Sequence, residues 1–480
     1  MPRYVLDIIS DLRAHGHQAF LVGGAVRDAL LGQVPKDWDV ATSATPDQVE
    51  TILGGRAIPT GKRFGTISVI VPVEEQPRDA RQEVRDTVQK TSANVVEVTT
   101  FRSDGVYSDG RRPDMVIFSA SLEEDLARRD FAINAIAYDP ATGRIIDPHG
   151  GARDIARRRI ACVGDPGERF REDALRMLRA VRLAAELDFD IADESKSAIK
   201  ANVHLVRNVS NERIRAELDR ILVSGGVRIG LELLQETGLL KEIIPELEET
   251  VGMRQGPNHI YTVWNHTIEA VARIEPILRL RLAALLHDVG KPKTFSREET
   301  GEIRFYRHEA VGKEIARGVL RRLGYPSAII ERVSSLVAYH MFLFDKTSSD
   351  RAVRKLVAKL GLDFIHDLAK LRKADREATG TMNGVGNNMA FFLQRVEEVL
   401  ARGNILSVRD LAIDGDDVKQ VLGIPPGPEV GRVLQNLLDI VMEDPALNER
   451  ETLLSLVAGQ AQGPPGSDAR LSHDMRTQEA

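Results

Sequence analysis

The stretch that most constrains the fold is FLVGGAVRDALLGQVPKDWDV, residues 20–40. Its apolar beginning predicts the end of a strand. Gly23 and Gly24 predict a turn in which the backbone approaches a neighbour or adopts an unusual φ. Residues 25–31 suit a short helix, and a second predicted strand with two aspartates closes the stretch. The stretch therefore predicts a strand–turn–helix–strand unit at the start of the chain.

Charged side chains in this unit suggest phosphate chemistry. A helix behind a diglycine directs bare N–H groups at the turn, which favours an anion such as a triphosphate, and Arg27 adds a positive fork. Asp37 and Asp39 lie two apart on the predicted strand, so both are expected on one face. Two neighbouring carboxylates repel unless a divalent cation lies between them. This arrangement is the one that two-metal phosphoryl transfer requires.

The same residues, in this order, resemble the signature of the nucleotidyltransferase superfamily, which includes the tRNA nucleotidyltransferases (CCA-adding enzymes) and bacterial poly(A) polymerases. The resemblance implies that Asp37 and Asp39 hold two Mg²⁺ ions. It also implies that Gly23, Gly24 and Arg27 bind the nucleotide and its phosphates.

The composition is that of an ordinary protein without membrane segments. With 480 residues, 42% of them hydrophobic, the chain is long enough for two to four domains. It shows no apolar run of membrane-helix length and no signal-peptide pattern, so we expect a cytoplasmic protein with no membrane partner. The single cysteine, Cys162, excludes an internal disulfide and a cysteine-based metal site. Because the net charge is −6, a nucleic-acid surface must be a local basic patch.

The predicted fold class is α+β, with a mixed sheet and helices in an N-terminal head followed by all-α regions. The expected domains are a head over 1–150, a helical neck over 151–250, a second domain with candidate catalytic residues over 251–384, a helical tail over 385–458 and a disordered end over 459–480. Residues 74–94 are polar and read as an insertion between two strands that a short loop could join.

Further residues of the head are assigned partly by resemblance. Glu97, in the alternating stretch VVEVTTFR, is predicted to be a third acidic residue near the aspartates; a solvated strand glutamate is the alternative. Arg129 and Asp130 match the RRD motif of the family, in which the arginine contacts the nucleotide, whereas a solvated helix end is the plain alternative. Residues 101–112 resemble a loop that accompanies the switch from adding C to adding A. CC-only enzymes have this loop shortened, and here it is full length.

The neck begins with a basic stretch. Residues 153–182 contain nine arginines, no lysine and five acidic residues, a balance of +4. A phosphate-rich partner is expected to bind there. In the following segment, NERIRAELDRIL, a helix is predicted in which Glu212 and Arg215 brace the neck.

The segment RFREDALRMLRAVRLAAEL within the neck is predicted to form one amphipathic helix. Its polar side would carry Glu172, Arg176, Arg179 and Arg182, with Asp173 at the edge; a helix laced with ion pairs is the alternative. The segment resembles the EDxxR motif of CCA-adding enzymes, in which side chains replace a template base. By that resemblance Asp173 accepts from the exocyclic amino group of C or A, and Arg176 donates to the ring nitrogen. Glu172 would hold Arg176, while Arg179 and Arg182 would meet phosphates.

A second set of polar residues lies in the apolar helical patterns after residue 255. An adjacent His-Asp, with a histidine about twenty residues before it and an aspartate about ninety after it, is a rare combination. It resembles the HD phosphohydrolase domain, and the resemblance implies a divalent transition metal or Mg²⁺ whose bound water is the nucleophile. The implied ligands are His266, His287, Asp288 and Asp375. His308, His340 and Lys291 would serve a second metal, a phosphate or another anion.

Taken together, the chain is identified as a member of the class II tRNA nucleotidyltransferases. This implies addition of CCA to tRNA 3′ ends from CTP and ATP, with release of pyrophosphate. Three alternatives stay open: an A-only or CC-only enzyme, a poly(A) polymerase, and, from a different class, an HD metal phosphohydrolase with an inactive head. Oligomeric state is left open.

Overall fold

The computed structural model describes residues 1–72, 93–104, 116–118, 121–256, 260–380 and 388–461. The described residues form two compact units, one drawn from Met1–Ala338 and Ala374–Thr381, the other from Tyr339–Lys373 and Met382–Ala480. Parts of three predictions lie outside the described residues: most of the insertion over 74–94, residues 105–112 of the loop, and residues 462–480 of the chain end.

Strands dominate the beginning of the first unit. The described strands are β1 (Ala19–Val22), β2 (Trp38–Thr42), β3 (Ala57–Gly61), β4 (Thr66–Pro72), β5 (Ala93–Thr100), β6 (Arg102–Asp104), β7 (Val116–Phe118), β8 (Ala137–Asp139), β9 (Arg144–Ile146), β10 (Arg159–Ile160), β11 (Asp190–Ile191), β12 (Phe295–Arg297) and β13 (Ile303–Phe305). Seven of them form a sheet in the order β3-β4-β5-β2-β1-β8-β9. The β2–β5 pair is parallel and the other neighbours are antiparallel. This mixed sheet confirms the predicted fold class of the head.

Two faces of this sheet have different environments. Val96 and Val98 of β5 are fully buried, whereas Glu97 between them is exposed, because successive side chains of a strand alternate between faces. Helix α1 (Arg3–Ala14) buries Val5 and Leu12, as its helical spacing predicts. The ladder between β4 and β5 ends by pairing Pro72 with Ala93. The strands that flank the predicted insertion are therefore neighbours, as expected.

Helices account for most of the remaining described chain. After α1 they are α2 (Gly24–Leu30), α3 (Pro46–Leu53), α4 (Leu122–Ala127), α5 (Gly151–Ala156), α6 (Pro166–Glu172), α7 (Leu175–Leu187), α8 (Asp193–Asn202), α9 (Asn211–Val223), α10 (Val227–Glu236), α11 (Leu239–Ile243), α12 (Pro245–Glu248), α13 (Val263–Arg273), α14 (Leu278–Leu286), α15 (His308–Arg322), α16 (Ser327–Tyr339), α17 (Asp350–Leu360), α18 (Leu362–Glu377), α19 (Asn388–Ala401), α20 (Gly415–Leu422), α21 (Pro428–Glu443) and α22 (Arg450–Ala461). Short 3₁₀ helices cover Gly54–Arg56, Lys62–Phe64, Ala132–Asn134, Val203–Asn208, Lys291–Thr294, Val408–Asp410 and Pro445–Leu447. Among the described residues, no helix is both long and apolar enough to cross a bilayer.

The prediction of one continuous amphipathic helix in the neck is wrong. The segment is divided into α6 and α7 by Asp173, whose backbone is extended at φ −145° and ψ 104°. Its side chain accepts a hydrogen bond from the Leu175 amide at 3.0 Å, so it satisfies a free N–H group at the start of α7. The predicted polar side also differs, because Arg176 and Arg182 are buried in α7. Their guanidinium groups are paired with carboxylates, which the spacing of apolar residues could not reveal.

The second unit is built from tail helices around a buried cation. Arg354 is fully buried on α17 and donates to the carbonyls of Val399, Gly403 and Met442. These carbonyls lie at or near the ends of α19 and α21, where helical partners are lacking. The predicted tail helices are present as α19, α20 and α21. The prediction that residues 459–480 are disordered is wrong for 459–461, which complete α22.

Candidate functional site

Asp39 and Glu97 lie side by side on neighbouring parallel strands. The ladder pairs Asp39 of β2 with Glu97 of β5, and paired residues project from the same face of a sheet. Strand β2 begins at Trp38, so the prediction that it carries both aspartates is wrong for Asp37, which immediately precedes it. Both Glu97 and Asp37 nevertheless lie close enough to act electrostatically on Asp39. The structure thus brings all three predicted acidic residues together.

The pKa of Asp39 reflects its burial among other charged groups. The pKa of its carboxyl is raised to about 6, mainly by burial. Glu97 and Asp37 contribute to the rise, and Arg129 and Arg27 oppose it. A divalent cation would replace the mutual repulsion of these carboxylates with attraction. Carboxylate oxygens are also the ligands that Mg²⁺ takes in proteins. The residues present therefore fit divalent cations.

The diglycine turn brings the backbone against this acidic cluster. Gly23 has φ +72°, a conformation that residues with a side chain rarely adopt. A Cβ atom at Gly23 would lie 3.0 Å from Arg129 Nη1 and 3.4 Å from Asp39 Oδ2. Gly24 follows as the first residue of α2, close to the guanidinium of Arg27. The backbone conformation favours glycine at position 23, and a side chain there would also press against Arg129 and Asp39.

The predicted RRD residues are held by ion pairs. Arg129 donates from Nη2 to Asp125 Oδ2 at 3.1 Å. Asp130 Oδ2 accepts from Arg179 Nε and Nη2 at 2.8 and 2.6 Å. Burial alone would raise the pKa of Asp130, but the Arg179 guanidinium outweighs it and lowers the pKa to about 2. Asp130 is therefore ionised and fixed against the neck helix α7.

The two predicted base-reading side chains of the neck are each held by a neighbouring side chain. Arg176 is held by Glu172, as predicted. Asp173 Oδ2 accepts from Arg213 Nη2 at 2.7 Å. Arg213 therefore orients Asp173, and Glu172 orients Arg176.

The predicted phosphate contact of Arg182 has little support from its surroundings. Its side chain is only 5% exposed and pairs with Glu217 and Glu186. The exposure of Arg179 is 35%, and it is bound to Asp130. Arg179 therefore retains an open side, whereas Arg182 is enclosed by carboxylates.

Two contributing residues were missed in the sequence. Arg213 and Glu217 lie one turn apart on α9 and contact Asp173 and Arg182. The i,i+4 spacing of opposite charges in NERIRAELDR was the available signal. The predicted brace at Arg215 is formed elsewhere, with the carbonyl of Gly324.

The HD-like residues of the first unit converge on one point. His266 Nε2 lies 3.2 Å from His287 Nε2 and 3.0 Å from Asp375 Oδ1. Asp288 Oδ2 lies 3.1 Å from His287 Nε2 and 3.7 Å from His266 Nε2. Two imidazole nitrogens and two carboxylate oxygens thus face each other. This donor set fits a divalent metal such as a first-row transition metal or Mg²⁺.

The close packing of imidazoles and carboxylates shifts the pKa values in this cluster. Burial opposes a charge on His287, but Asp288 outweighs it and raises the imidazole pKa. The pKa of Asp288 is well below its usual value, because His287 and Lys291 outweigh its burial. Lys291 Nζ lies 2.7 Å from Asp288 Oδ2, and His308 Nε2 lies 3.4 Å from Asp288 Oδ1. The fourth predicted histidine, His340, belongs to the second unit, where it is buried and its carbonyl accepts from Arg372.

Comparisons with known proteins match the chain in three segments. Residues 19–161 match the poly A polymerase head domain, residues 188–250 match the probable RNA and SrmB-binding site of polymerase A, and residues 258–380 match the HD domain. A CC-adding tRNA nucleotidyltransferase of Thermus thermophilus is 35% identical, covering 88% of this chain and 90% of that protein. A CCA-adding enzyme of Geobacillus stearothermophilus is 33% identical, covering 93% and 94%. The chain belongs to the tRNA nucleotidyltransferase family.

Solved structures agree with this membership. The Bacillus stearothermophilus CCA-adding enzyme, solved in complex with CTP, is 30% identical with a TM-score of 0.67, covering 95% of this tRNA nucleotidyltransferase and 96% of that chain. The Thermotoga maritima CCA-adding enzyme, complexed with tRNA, has a TM-score of 0.55 at 19% identity, which is a likeness of fold. As a member of this family, the protein is an enzyme.

Proposed function

We propose that this tRNA nucleotidyltransferase adds CCA to tRNA 3′ ends without a template, using CTP and ATP and releasing pyrophosphate. The observation that carries the proposal is the pairing of Asp39 with Glu97, beside Asp37 and the Gly23 turn. The relatives named CCA-adding enzymes and the related structure with CTP support the same substrates. A cytoplasmic location fits this activity.

The acidic residues would hold the ions of the reaction. Asp37 and Asp39, aided by Glu97, would bind two Mg²⁺ ions. When bound, such ions lower the pKa of an attacking hydroxyl and neutralise charge on the triphosphate. Arg27 and Arg129, which lie beside Gly24 and Gly23, would bind phosphate oxygens with their N–H groups.

Base selection is assigned to the junction of α6 and α7. The Asp173 carboxylate would accept from the amino group of cytosine or adenine, and Arg176 would donate to the adjacent ring nitrogen. Uracil and guanine present a carbonyl in place of that amino group and would leave the carboxylate unpaired. Arg213 orients Asp173, and Glu172 orients Arg176. Each of the two base-reading side chains, Asp173 and Arg176, is therefore oriented by a different neighbour.

The test uses purified protein and a tRNA that lacks its three terminal nucleotides. CTP alone should give products ending in CC, and CTP with ATP should give products ending in CCA. Sequencing of the products distinguishes the alternatives. A long adenosine tract would indicate a poly(A) polymerase, and addition to a tRNA ending in CC, but not to the shorter tRNA, would indicate an A-only enzyme.

CC-only addition is the second candidate function. The specific observation in its favour is the Thermus thermophilus relative, which is named a CC-adding enzyme and is 35% identical. The full-length stretch 101–112 favours CCA addition instead. Products that stop at CC in the presence of ATP would decide for the second candidate.

The HD-like cluster supports a further activity, hydrolysis of a phosphate ester. His266, His287, Asp288 and Asp375 would bind a divalent transition metal or Mg²⁺, and Lys291 and His308 beside Asp288 would face an anion. The test is hydrolysis of a nitrophenyl phosphate by metal-depleted protein after addition of Ni²⁺, Mn²⁺ or Mg²⁺. The His287→Ala variant should lose the activity, whereas the variant His204→Ala, at an exposed position of the neck, should keep it.

A further inference from the structure

Asn134 contacts several of the predicted nucleotide-binding residues, although it was not itself predicted to belong to the site. It ends the 3₁₀ helix Ala132–Asn134. Its Oδ1 accepts from Arg27 Nη1 at 2.7 Å, and its Nδ2 donates to Asp130 Oδ1 at 3.3 Å. Because a guanidinium only donates and a carboxylate only accepts, these partners determine the orientation of the amide. Both ends of the Asn134 side chain are thus engaged.

The first partner, Arg27, depends on Asn134 for its orientation. Its Nε and Nη2 donate to Asp28 Oδ1 at 2.9 and 2.7 Å, and the side chain is 13% exposed. Within the described chain, these bonds and the one to Asn134 engage three of the five N–H groups of a guanidinium. Asp28 holds one edge of the group, and Asn134 prevents rotation about that edge. The N–H groups that are left are therefore presented in a defined direction.

The second partner, Asp130, carries the connection into the neck. Its other oxygen accepts two hydrogen bonds from Arg179, a residue of α7. Helix α7 also carries Arg176, which is assigned to base selection. Asn134 therefore joins α2, beside the diglycine turn, to the helix that reads the base.

A third contact involves the backbone of Asn134. Its carbonyl accepts from Arg129 Nη1 at 3.4 Å. That same nitrogen would lie 3.0 Å from a Cβ at Gly23. The position of one asparagine is thus coupled to both arginines that are assigned to the triphosphate.

We propose that Asn134 is a positioning residue for nucleotidyl transfer. It holds Arg27 in the orientation that binds the triphosphate. Through Asp130 and Arg179 it also fixes the position of Arg27 relative to the base-selecting helix α7. This inference rests on the proposed function. Loss of the Asn134 amide removes its hydrogen bond to the Arg27 guanidinium, and the loss of one hydrogen bond to a charged group corresponds to about a tenfold change in KM. Because Arg27 binds the triphosphate before and during transfer, the change is expected in KM for CTP and ATP.

The test compares Asn134→Ala, Arg27→Ala and the double variant in the full-length protein. Asn134→Ala should raise KM for both nucleotides about tenfold, with kcat altered less than about threefold. The KM values of the double variant should exceed those of Arg27→Ala by no more than about threefold, because the second substitution removes an interaction that is already lost. Asn208→Ala is the matched control, since Asn208 also ends a 3₁₀ helix but is exposed.

The outcomes separate this role from the proposed function. Unchanged KM in Asn134→Ala would overturn the positioning role alone. The same holds if the change in KM of the double variant equals the product of the changes in the two single variants. A loss of kcat that parallels a lowered Tm, with KM unchanged, would show a purely structural residue and also overturn it. If Asn134→Ala does not fold, Asn134→Ser carries the same expectation for KM. A wild-type protein that incorporates neither nucleotide would overturn the proposed function and this role together.

Discussion

Asp173 accepts a hydrogen bond from Arg213 at 2.7 Å, although the two residues are 40 positions apart. The other carboxylate oxygen of Asp173 accepts from the Leu175 amide at 3.0 Å. The carboxylate is therefore held from two sides, by its own helix junction and by α9. A group that selects a base must be fixed in this way, because a mobile carboxylate could adapt to the wrong donor pattern.

Replacement of Asp173 or Arg176 by alanine should relax base choice. We expect incorporation of UTP and GTP relative to CTP to rise by about tenfold or more, because the penalty for an unpaired buried group is removed. The measurement is single-nucleotide incorporation with each of the four triphosphates. Arg171→Ala, at an exposed position of α6, is the control and should select as the wild type does. Unchanged rejection of UTP and GTP in both variants would eliminate the base-reading role.

Asp39→Ala should abolish nucleotide incorporation while leaving hydrolysis at the HD-like cluster intact. Even residues that only support metal ligands are worth about 10–100-fold, so we expect a loss of at least about a hundredfold. Both activities are measured on the same preparation, with circular dichroism as the check on folding. Loss of both activities in a folded variant would contradict two separate sites.

The pairing of Asp130 with Arg179 should make stability depend on pH in the acid range. The pKa of Asp130 is lowered from 3.8 to about 2, so folding favours its ionised form. This contribution, about 2 kcal/mol, is complete above about pH 4 and is lost as the pH falls through about 2. The measurement is urea unfolding of the wild type and Asp130→Asn at several pH values. The stability difference between them should narrow below pH 4, and a constant difference down to about pH 2 would contradict the assignment.

Arg354→Ala should destabilise the second unit. The change leaves three carbonyls, two of them buried, without their donor, at a cost of about 3 kcal/mol or more. Arg354→Lys should recover only part of this, because one ammonium cannot reproduce the planar fork. Hydrogen exchange of α17, α19 and α21 should accelerate in both variants. The exposed Arg409→Ala is the control, and equal protection in Arg354→Ala and the wild type would contradict the role.

Local patterns were sufficient for several elements of the head. The apolar spacing of Val5 and Leu12 is that of a helix, and the structure has α1 there. Thr45 before Pro46 is a typical helix start, and α3 begins at Pro46 with a capping box between Thr45 and Gln48. These features depend on residues within one or two turns of each other. They can therefore be read from neighbours in the sequence.

Patterns failed where a distant partner overrides the local period. The apolar spacing of the neck segment favoured one helix, but Asp173 breaks it and bonds to Leu175 and Arg213. Arg182 was placed on a polar side, yet Glu217 of another helix allows it to be buried. Burial of a charge depends on its partner, and a partner on another helix leaves no mark on the periodicity.

The sequence by itself determined which chemical groups the protein has and the order in which they occur: the diglycine, the aspartates after it, the acidic and basic neck residues, and the His-Asp pair. The tertiary structure decided which of them meet. It paired Asp39 with Glu97 across β2 and β5, and it joined Arg27 to Asn134, 107 positions away. The reason is physical. Residue type and short-range spacing act within a few residues, whereas strand register and helix packing bring distant parts of the chain together.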